Sequence, residues 1–209
     1  MVPPFSLPSS PRKEMKEHIV KKGFGFALRP VREADAEFIL RLRAMPHGLG
    51  IVGTTVPDLG SQLRWMRDYF CREDDHYFII ESMQGVPVGT VGLYNIRSDS
   101  AEWGRWIIVP GVAAAVPSAV MIHQLAFEDF GLRRVRACVV ATNVKVLSFH
   151  AKFGARVTSI EKGAGRRISG SDVDLVWHII ESETWIQRRD HLVSLAQIVG
   201  VSLSGSSHP

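Results

Sequence analysis

The sequence predicts a single α/β domain, and three observations support that prediction. Its 209 residues are close to the length of one domain, and 45% of them are hydrophobic and 22% charged, as in folded globular proteins. Apolar runs with strand-like and helix-like spacing alternate along the chain. Three strand-like runs separated by short turns follow one another between residues 76 and 109, which indicates an antiparallel meander.

The N-terminal third begins with a basic, proline-rich segment. Residues 1–24 contain five basic and two acidic residues together with four prolines, which predicts a flexible leader with a short exposed helix over Arg12–Lys22. The elements expected next are a strand over Phe26–Val31, a helix over Glu33–Met45, a loop over Pro46–Gly60 and a helix over Gln62–Cys71 capped by Ser61.

The rest of the chain alternates between the two periodicities. The expected elements are strands over His76–Met83, Val86–Ile96 and Ala101–Val109, a small-residue loop over Pro110–Pro117, a helix over Ser118–Phe130 closed by Gly131, a strand over Val135–Ala141, a helix over Val144–Phe153 between Asn143 and Gly154, a hairpin of Ala155–Ile160 with Val173–Ile180, and a helix over Glu181–Val199. That last helix is expected to dock on the body or on a second copy, forming a homodimer, and residues 202–209 are expected to fray. The predicted organisation is therefore a leader (1–24), one domain (25–181) and a C-terminal helix with its tail (182–209).

Composition argues against several kinds of partner. After residue 24 the net charge is only about +1, without the basic, aromatic-bearing face that binds nucleic acid. Cys71 and Cys138 have neither metal-ligand nor disulfide spacing, so we expect no metal and a reducing, cytoplasmic setting. The uncharged stretch Ile107–Phe127 has the length of a membrane span, but Pro110 and Pro117 favour a strand, a turn and a helix instead. No membrane partner is expected.

The loop before the fourth predicted helix is the first candidate site. Gly111, Val112, Ala113, Ala114 and Ala115 precede the helix and have small side chains, so backbone N–H groups at its positive end are accessible. Such an end favours a phosphate group. Neither a Walker loop nor a dinucleotide fingerprint is present, and close packing of the turn on the sheet is the alternative interpretation.

The stretch from Asn143 to Ala155 resembles the NxxAxxxYxKxGF signature of the GNAT superfamily of acyl-CoA N-acyltransferases. The order of elements over residues 26–180 is similar to that fold, and the segments LRPVREADAEFI, EWGRWIIVP and AFEDFGLRRVRA resemble the branch of ribosomal-protein N-terminal and amino-sugar N-acetyltransferases. The resemblance implies a GNAT-type mixed sheet with an N-terminal meander, a central acyl-CoA loop and helix, and a C-terminal hairpin. It also implies acetyl-CoA as the acyl donor.

The resemblance assigns roles to particular residues. The backbone of Ile107 and Ile108 would hold the thioester carbonyl, and Val109 would also contact the cofactor. The loop Gly111–Ala115 would hold the pyrophosphate, and Asn143 the pantetheine arm. The family's pyrophosphate motif is Gln or Arg, two residues, Gly, one residue, and Gly or Ala. Its positions fall on Pro110, Ala113 and Ala115, of which only Ala115 agrees.

Two side chains are expected to move protons. The family's tyrosine falls on His150, whose imidazole would protonate the leaving thiolate; the alternative is a partly buried ring bonded to backbone. Glu102 lies at the position of a base, and the alternative is a strand-end residue or an ion pair with Arg105. Glu81 and His76 are weaker candidates.

The function expected is acetyl transfer from acetyl-CoA to a primary amine of a small molecule, a class that includes amino sugars. No acidic cluster is present that would receive a basic peptide, which favours this acceptor over a protein N-terminus. A catalytically silent acyl-CoA-binding sensor is the alternative from a different class, because Pro110, Ala113 and His150 depart from the family pattern. Trp103 and Trp106 are expected either in the core or lining the acceptor pocket.

Overall fold

The computed structural model describes residues 18–45, 58–166 and 170–204. Its strands are β1 (Lys21–Gly23), β2 (Phe26–Pro30), β3 (His76–Ser82), β4 (Pro87–Tyr94), β5 (Ser100–Ile108), β6 (Arg134–Val140), β7 (Arg156–Arg166) and β8 (Asp172–Glu181). Its α-helices are α1 (Ala36–Ala44), α2 (Leu59–Phe70), α3 (Ala115–Gln124), α4 (Val144–Phe153) and α5 (Ser182–Ser204). A 3-10 turn (Glu33–Asp35) precedes α1, and a π-helical turn (Leu125–Asp129) follows α3.

All eight strands form one mixed sheet in the order β1-β2-β3-β4-β5-β6-β8-β7. Neighbouring strands are antiparallel except β5 and β6, which run parallel and pair only through their first three residues, Ser100–Glu102 with Arg134–Arg136. The predicted fold class, meander and C-terminal hairpin are confirmed. The sheet therefore opens between β5 and β6.

Apolar side chains alternate across the sheet and form two cores. On the inner face, Leu28, Val91 and Trp103 pack with the residues of α3 and with α5. On the outer face, Tyr77 and Ile79 pack beneath α1 and α2. Arg134, Arg136 and Cys138 on the outer face of β6 are exposed, so the outer face is open to solvent at this strand.

The C-terminal helix α5 docks on the body of its own chain. Trp185, Leu192 and Ala196 are buried in the inner core. Near the other end, a Cβ on Gly200 would lie 2.7 Å from the backbone of Phe24, so the helix approaches the β1–β2 turn as closely as glycine allows. The predicted docking is therefore on the body.

Several expected boundaries are wrong, and each has a local cause. The α2 cap is Asp58, whose carboxylate accepts the Ser61 N–H at 2.9 Å, because a charged acceptor suits the helix N-terminus. Helix α3 begins at Ala115 rather than Ser118, since Pro117 fits the first turn, where a missing N–H costs little. Lys21 and Lys22 belong to a strand and not to a helix, since they pair with β2.

Other expectations about chain segments have mixed outcomes. The last predicted hairpin is longer than expected, because β7 continues through Gly163 to Arg166. Asn143 and Gly154 bound α4 as predicted, and Gly154 adopts φ 109°. Most of the leader, most of the Pro46–Gly60 loop and residues 205–209 lie outside the described residues. None of the helices in the described part of the chain has the length and apolar character needed to cross a membrane.

Candidate active site

A bulge in β5 begins the opening of the sheet. Between Gly104 and Ile107 the strand has one residue more than the facing segment Gly92 to Thr90 of β4. Arg105 occupies the bulge with φ 49°, and its carbonyl accepts the Thr90 hydroxyl at 2.7 Å. Bulges bend a strand and increase its twist. Beyond Glu102, β5 therefore has no pairing with β6.

The bulge is held by the side chain of Arg105. Its guanidinium donates two hydrogen bonds to the buried carboxylate of Asp75, at 2.6 and 2.9 Å. It also lies 4.4 Å from the ring centre of Tyr94 and 5.0 Å from that of Trp65. The ion pair and ring contacts offset the cost of a left-handed backbone at a residue other than glycine.

The opening between β5 and β6 forms a cleft of about 340 Å³. It extends from the inner face, where α4 lies, to the outer face. Its walls consist of Tyr94, Trp103, Gly104, Arg105, Trp106, Ala137, Cys138, Val139, Val140, Asn143, Val146, His150 and Leu175. Of the predicted site residues, Asn143 and His150 belong to these walls, whereas Glu102, Ile107–Val109 and Gly111–Ala115 do not.

The predicted cofactor loop lies where β5 ends. Within the described residues, no hydrogen bond engages the backbone amides of Ala113, Ala114, Ala115 or Val116. These amides lie at the N-terminus of α3, where the helix dipole is positive, so the loop fits a phosphate group. Gly111 has φ 83°, and Ala113 does not have a positive φ. Alanine in place of the family's glycine at residue 113 therefore carries no backbone strain.

The end of β5 determines which amides face the opening. The Val109 N–H donates to the Val88 carbonyl at 2.8 Å, on the β4 side. Amides two residues apart along a strand face the same neighbour. The Ile107 amide therefore faces β4, and the Ile108 amide faces the side on which β6 diverges. Of the predicted carbonyl donors, Ile108 has the suitable direction.

His150 lies on the inner wall of the cleft and is 3% exposed. Its ring centre is 5.2 Å from that of Trp103 and 4.9 Å from that of His178. Burial, with smaller contributions from His178 and His123, lowers the pKa of His150 to about 3. The imidazole is therefore neutral at pH 7. Among the described residues no hydrogen bond to this ring is present, so the alternative of a ring bonded to backbone is not observed.

Asn143 joins the cleft to α4 as the helix cap. Its side-chain oxygen accepts the Val146 N–H at 3.3 Å, which confirms the predicted N-cap. Val146 and His150 follow on the same face of α4 and also line the cleft. By fixing the first residue of α4, the Asn143 cap also fixes which residues of the helix face the cleft.

Glu102 lies on the outer face of β5, opposite in side-chain direction to Ala101 and Trp103. Its Cα partners are Tyr94 on β4 and Arg136 on β6. The expected alternative, an ion pair with Arg105, does not form, because Arg105 binds Asp75. Glu102 is therefore next to the outer mouth of the cleft without forming its wall.

Sequence reasoning missed Tyr94. The side chain lines the cleft, and burial raises the pKa of Tyr94 to about 12, so its phenol retains its proton at pH 7. A Cβ on Gly104 would lie 2.6 Å from the Tyr94 hydroxyl oxygen, so glycine makes room for the phenol. In the sequence, Tyr94 is only a tyrosine at the end of a predicted strand, a pattern that does not distinguish a functional residue from a structural one.

The two tryptophans lie at the cleft, whereas the weaker candidates Glu81 and His76 lie outside it. Trp103 is buried in the inner core and also lines the cleft, and the Trp106 indole N–H donates to the Ser118 hydroxyl at 3.0 Å. Glu81 forms an ion pair with Arg29 outside the cleft. His76 lines a separate cavity of about 270 Å³. Among the described residues, no three His, Cys, Asp or Glu side chains are arranged to hold a metal ion.

Comparisons with known proteins agree with this geometry. The family model described as an acetyltransferase (GNAT) domain matches residues 26–156. The structure of apo FdhC, described as a nucleotide-linked sugar GNAT, has 30% identity and a TM-score of 0.70, with coverage of 87% of this chain and 98% of that chain. No curated protein sequence gives a significant match.

More distant structures share the fold. A GCN5-related N-acetyltransferase from Brucella melitensis has 16% identity and a TM-score of 0.73, with coverage of 86% of each chain. A variant of the spermidine N-acetyltransferase SpeG from Vibrio cholerae has 18% identity and a TM-score of 0.69, with coverage of 79% of this chain and 99% of that chain. The family match spans more than half of the residues and contains the bulge, the predicted cofactor loop and α4. The chain therefore belongs to the GNAT acetyltransferase family.

Proposed function

We propose that this protein transfers the acetyl group of acetyl-CoA to a primary amine of a small molecule, and that the acceptor is an amino sugar. GNAT domains use acetyl-CoA as a co-substrate. The observation that carries the proposal is the cleft between β5 and β6. Beside it lies a helix N-terminus with four amides that have no hydrogen-bond partner within the described ranges. Support for the acceptor comes from FdhC, described as a nucleotide-linked sugar GNAT.

Different residues around the cleft bind the cofactor, polarise the thioester and accept the proton of the amine. The amides of Ala113–Val116 bind the pyrophosphate, and the Ile108 amide donates to the thioester oxygen, where negative charge develops. Glu102 accepts a proton from the acceptor amine, directly or through a water, so that the nitrogen lone pair can attack the acetyl carbon. The carbon–sulfur bond breaks as the new carbon–nitrogen bond forms, and the sulfur leaves as a thiolate. The nitrogen releases its second proton to water, from which Tyr94 regains the proton that it gives to the sulfur.

His150 and Tyr94 are the proton donors at the cleft. Because burial lowers the pKa of His150 to about 3, its ring acts as a neutral N–H donor to the leaving sulfur and not as an imidazolium. The Tyr94 phenol is also protonated at neutral pH and reaches the same cleft. We therefore assign His150 the hydrogen bond to sulfur and Tyr94 the supply of the proton.

Calorimetric titration with acetyl-CoA is the first test, followed by kcat/KM measured from thiol release with a panel of amines. We expect Glu102→Gln, His150→Ala and Tyr94→Phe each to lower kcat/KM at least tenfold, about 1.4 kcal/mol of transition-state stabilisation. The matched controls Glu37→Gln and His191→Ala alter exposed residues outside the cleft and should remain within twofold. A change of less than threefold in a cleft variant would remove that residue from the mechanism.

A silent acyl-CoA-binding module is the second candidate, favoured by one observation. A histidine with its pKa lowered to about 3 is a poor cationic acid at pH 7. Micromolar binding of acetyl-CoA without thiol release across the amine panel would support the silent module. Turnover with any amine would exclude it.

A further inference from the structure

The open outer face of the sheet carries a patch that the proposed chemistry does not use. This outer-face patch consists of Arg136 and Cys138 on β6, Leu175 and Trp177 on β8, and Glu161 on β7. Cys138 and Leu175 line the cleft, and their cross-strand partners are Trp177 and Glu161, respectively. The patch is therefore continuous with the outer mouth of the cleft.

Arg136 is the cation of this patch. Its guanidinium carbon lies 4.5 Å from the ring centre of Trp177. Glu102 is its cross-strand neighbour on β5, but the two form no ion pair, because the guanidinium is directed over β8. Within the described residues no carboxylate lies at ion-pair distance from Arg136, although the residue is exposed.

The next outward-facing arginine of the same strand provides a contrast. Arg134 is also exposed, and its guanidinium binds the Asp99 carboxylate at 2.6 Å. A guanidinium stacked on an indole loses less side-chain entropy when it binds, and its planar fork matches phosphate and carboxylate oxygens. Arg136 is thus already positioned to bind an anion, whereas Arg134 is occupied.

Two carboxylates flank Cys138, Glu102 on β5 and Glu161 on β7. Partial desolvation of the Cys138 thiol, whose residue is exposed at the surface, raises its pKa to about 11, with smaller contributions from Glu161 on β7 and Glu102 on β5. A protonated amine at the cleft mouth would be favoured there by both carboxylates. The outer face therefore places the carboxylates of Glu102 and Glu161 near the cleft and the guanidinium of Arg136 over β8.

We propose that the acceptor carries a phosphate group in addition to its amine, and that Arg136, stacked on Trp177, binds that phosphate while the amine enters the cleft from the outer face. This inference rests on the proposed function and specifies its acceptor. The patch fits a nucleoside diphosphate attached to an amino sugar: the guanidinium binds phosphate oxygens, and its free face provides a plane for a base. Every nucleobase has a π-face, so this platform does not depend on the identity of the base.

Calorimetric titration with uridine diphosphate tests the proposal on the full chain. Saturating CoA is present, so that binding at the cofactor loop is not counted. We expect wild-type protein to bind uridine diphosphate and to bind uridine at least tenfold more weakly. Arg136→Gln should weaken uridine diphosphate binding at least tenfold. Its matched control, Arg134→Gln, removes the same charge from the same face and should change binding less than twofold.

A second pair of variants addresses the platform. Trp177→Phe retains a ring beneath Arg136 and should remain within threefold of wild type, whereas Trp177→Leu should weaken binding about as much as Arg136→Gln. Circular dichroism establishes that each variant is folded. No binding of uridine diphosphate, equal binding of uridine, or equal losses in Arg134→Gln and Arg136→Gln would each overturn the proposal.

Titration with acetyl-CoA separates this inference from the proposed function. Acetyl-CoA binding and amine turnover without any uridine diphosphate site would overturn the phosphate-bearing acceptor alone. Absence of acetyl-CoA binding would instead contradict the proposed function.

Discussion

Acidification from pH 7 to pH 5 should destabilise this protein through two buried histidines. His123 lies in the inner core with its ring centre 4.8 Å from those of Trp103 and Phe153. Its Nδ1 is 2.7 Å from the Ala119 carbonyl oxygen, and its Nε2 has no hydrogen-bond partner in the described residues. Burial lowers the pKa of His123 to about 4 and that of His150 to about 3.

The sign and size of the effect follow from proton linkage. The pKa of histidine in the unfolded chain is about 6.5. The folded values are lower, so below pH 6.5 the unfolded state binds more protons and the free energy of unfolding falls. The loss continues until the pH falls below the folded pKa. Between pH 7 and pH 5 each histidine contributes a loss of about 2 kcal/mol, and the two together about 4 kcal/mol.

Urea unfolding at pH 7, 6 and 5, followed by circular dichroism, measures this loss. His123→Phe retains an aromatic ring among aromatic neighbours and should remove about 2 kcal/mol of the pH-dependent loss, as should His150→Phe. The matched control is His191→Phe, which makes the same substitution at an exposed position on α5, outside the core. A loss below 1 kcal/mol in the wild type, or one unchanged in both core variants, would refute the reasoning.

Two further pairs of variants test the geometry around β5. Gly89→Ala places a Cβ 2.6 Å from the Ile107 carbonyl oxygen, so we expect a loss of about 2 kcal/mol in the free energy of unfolding and weaker acetyl-CoA binding. Gly23→Ala, where the nearest atom would be 3.9 Å away, should cost less than about 0.5 kcal/mol in urea unfolding. Arg105→Gln leaves the Asp75 carboxylate buried and should cost about 3 kcal/mol by the same measurement, whereas Arg105→Lys should recover part of that loss.

Local signals predicted the parts of the fold that depend on neighbouring residues. Asn143 and Gly154 bound α4 as expected, because a side-chain oxygen at one end and a left-handed residue at the other act within a few residues. Ser61 was the wrong cap for α2 for a related reason. Asp58 also satisfies the cap rule, and the choice between them depends on where the preceding chain turns.

Tertiary contacts determine the parts of the site that the sequence did not reveal. The bulge in β5 contains no glycine at its left-handed position, and Arg105 is held there by Asp75, which lies 30 residues earlier. Tyr94 enters the cleft because Gly104 on the neighbouring strand leaves room for its hydroxyl. Periodicity and capping rules describe neighbouring residues, so they cannot predict contacts between residues on different elements. The opening of the sheet therefore depends on contacts between distant residues, which the sequence analysis did not predict.

Burial has opposite consequences for the two proton donors of the cleft. An imidazole with its ordinary pKa would be partly protonated at pH 7, but burial against Trp103 and His178 removes that charge from His150. Burial of Tyr94 also favours the uncharged form, but for a phenol the uncharged form is the one that carries the proton. Desolvation therefore leaves His150 neutral, with one ring N–H to donate as a hydrogen bond. It leaves Tyr94 protonated, and so able to act as an acid, throughout the neutral range. Proton supply from Tyr94 predicts that kcat stays level from pH 7 to 9, whereas supply from an imidazolium would make it fall as the pH rises.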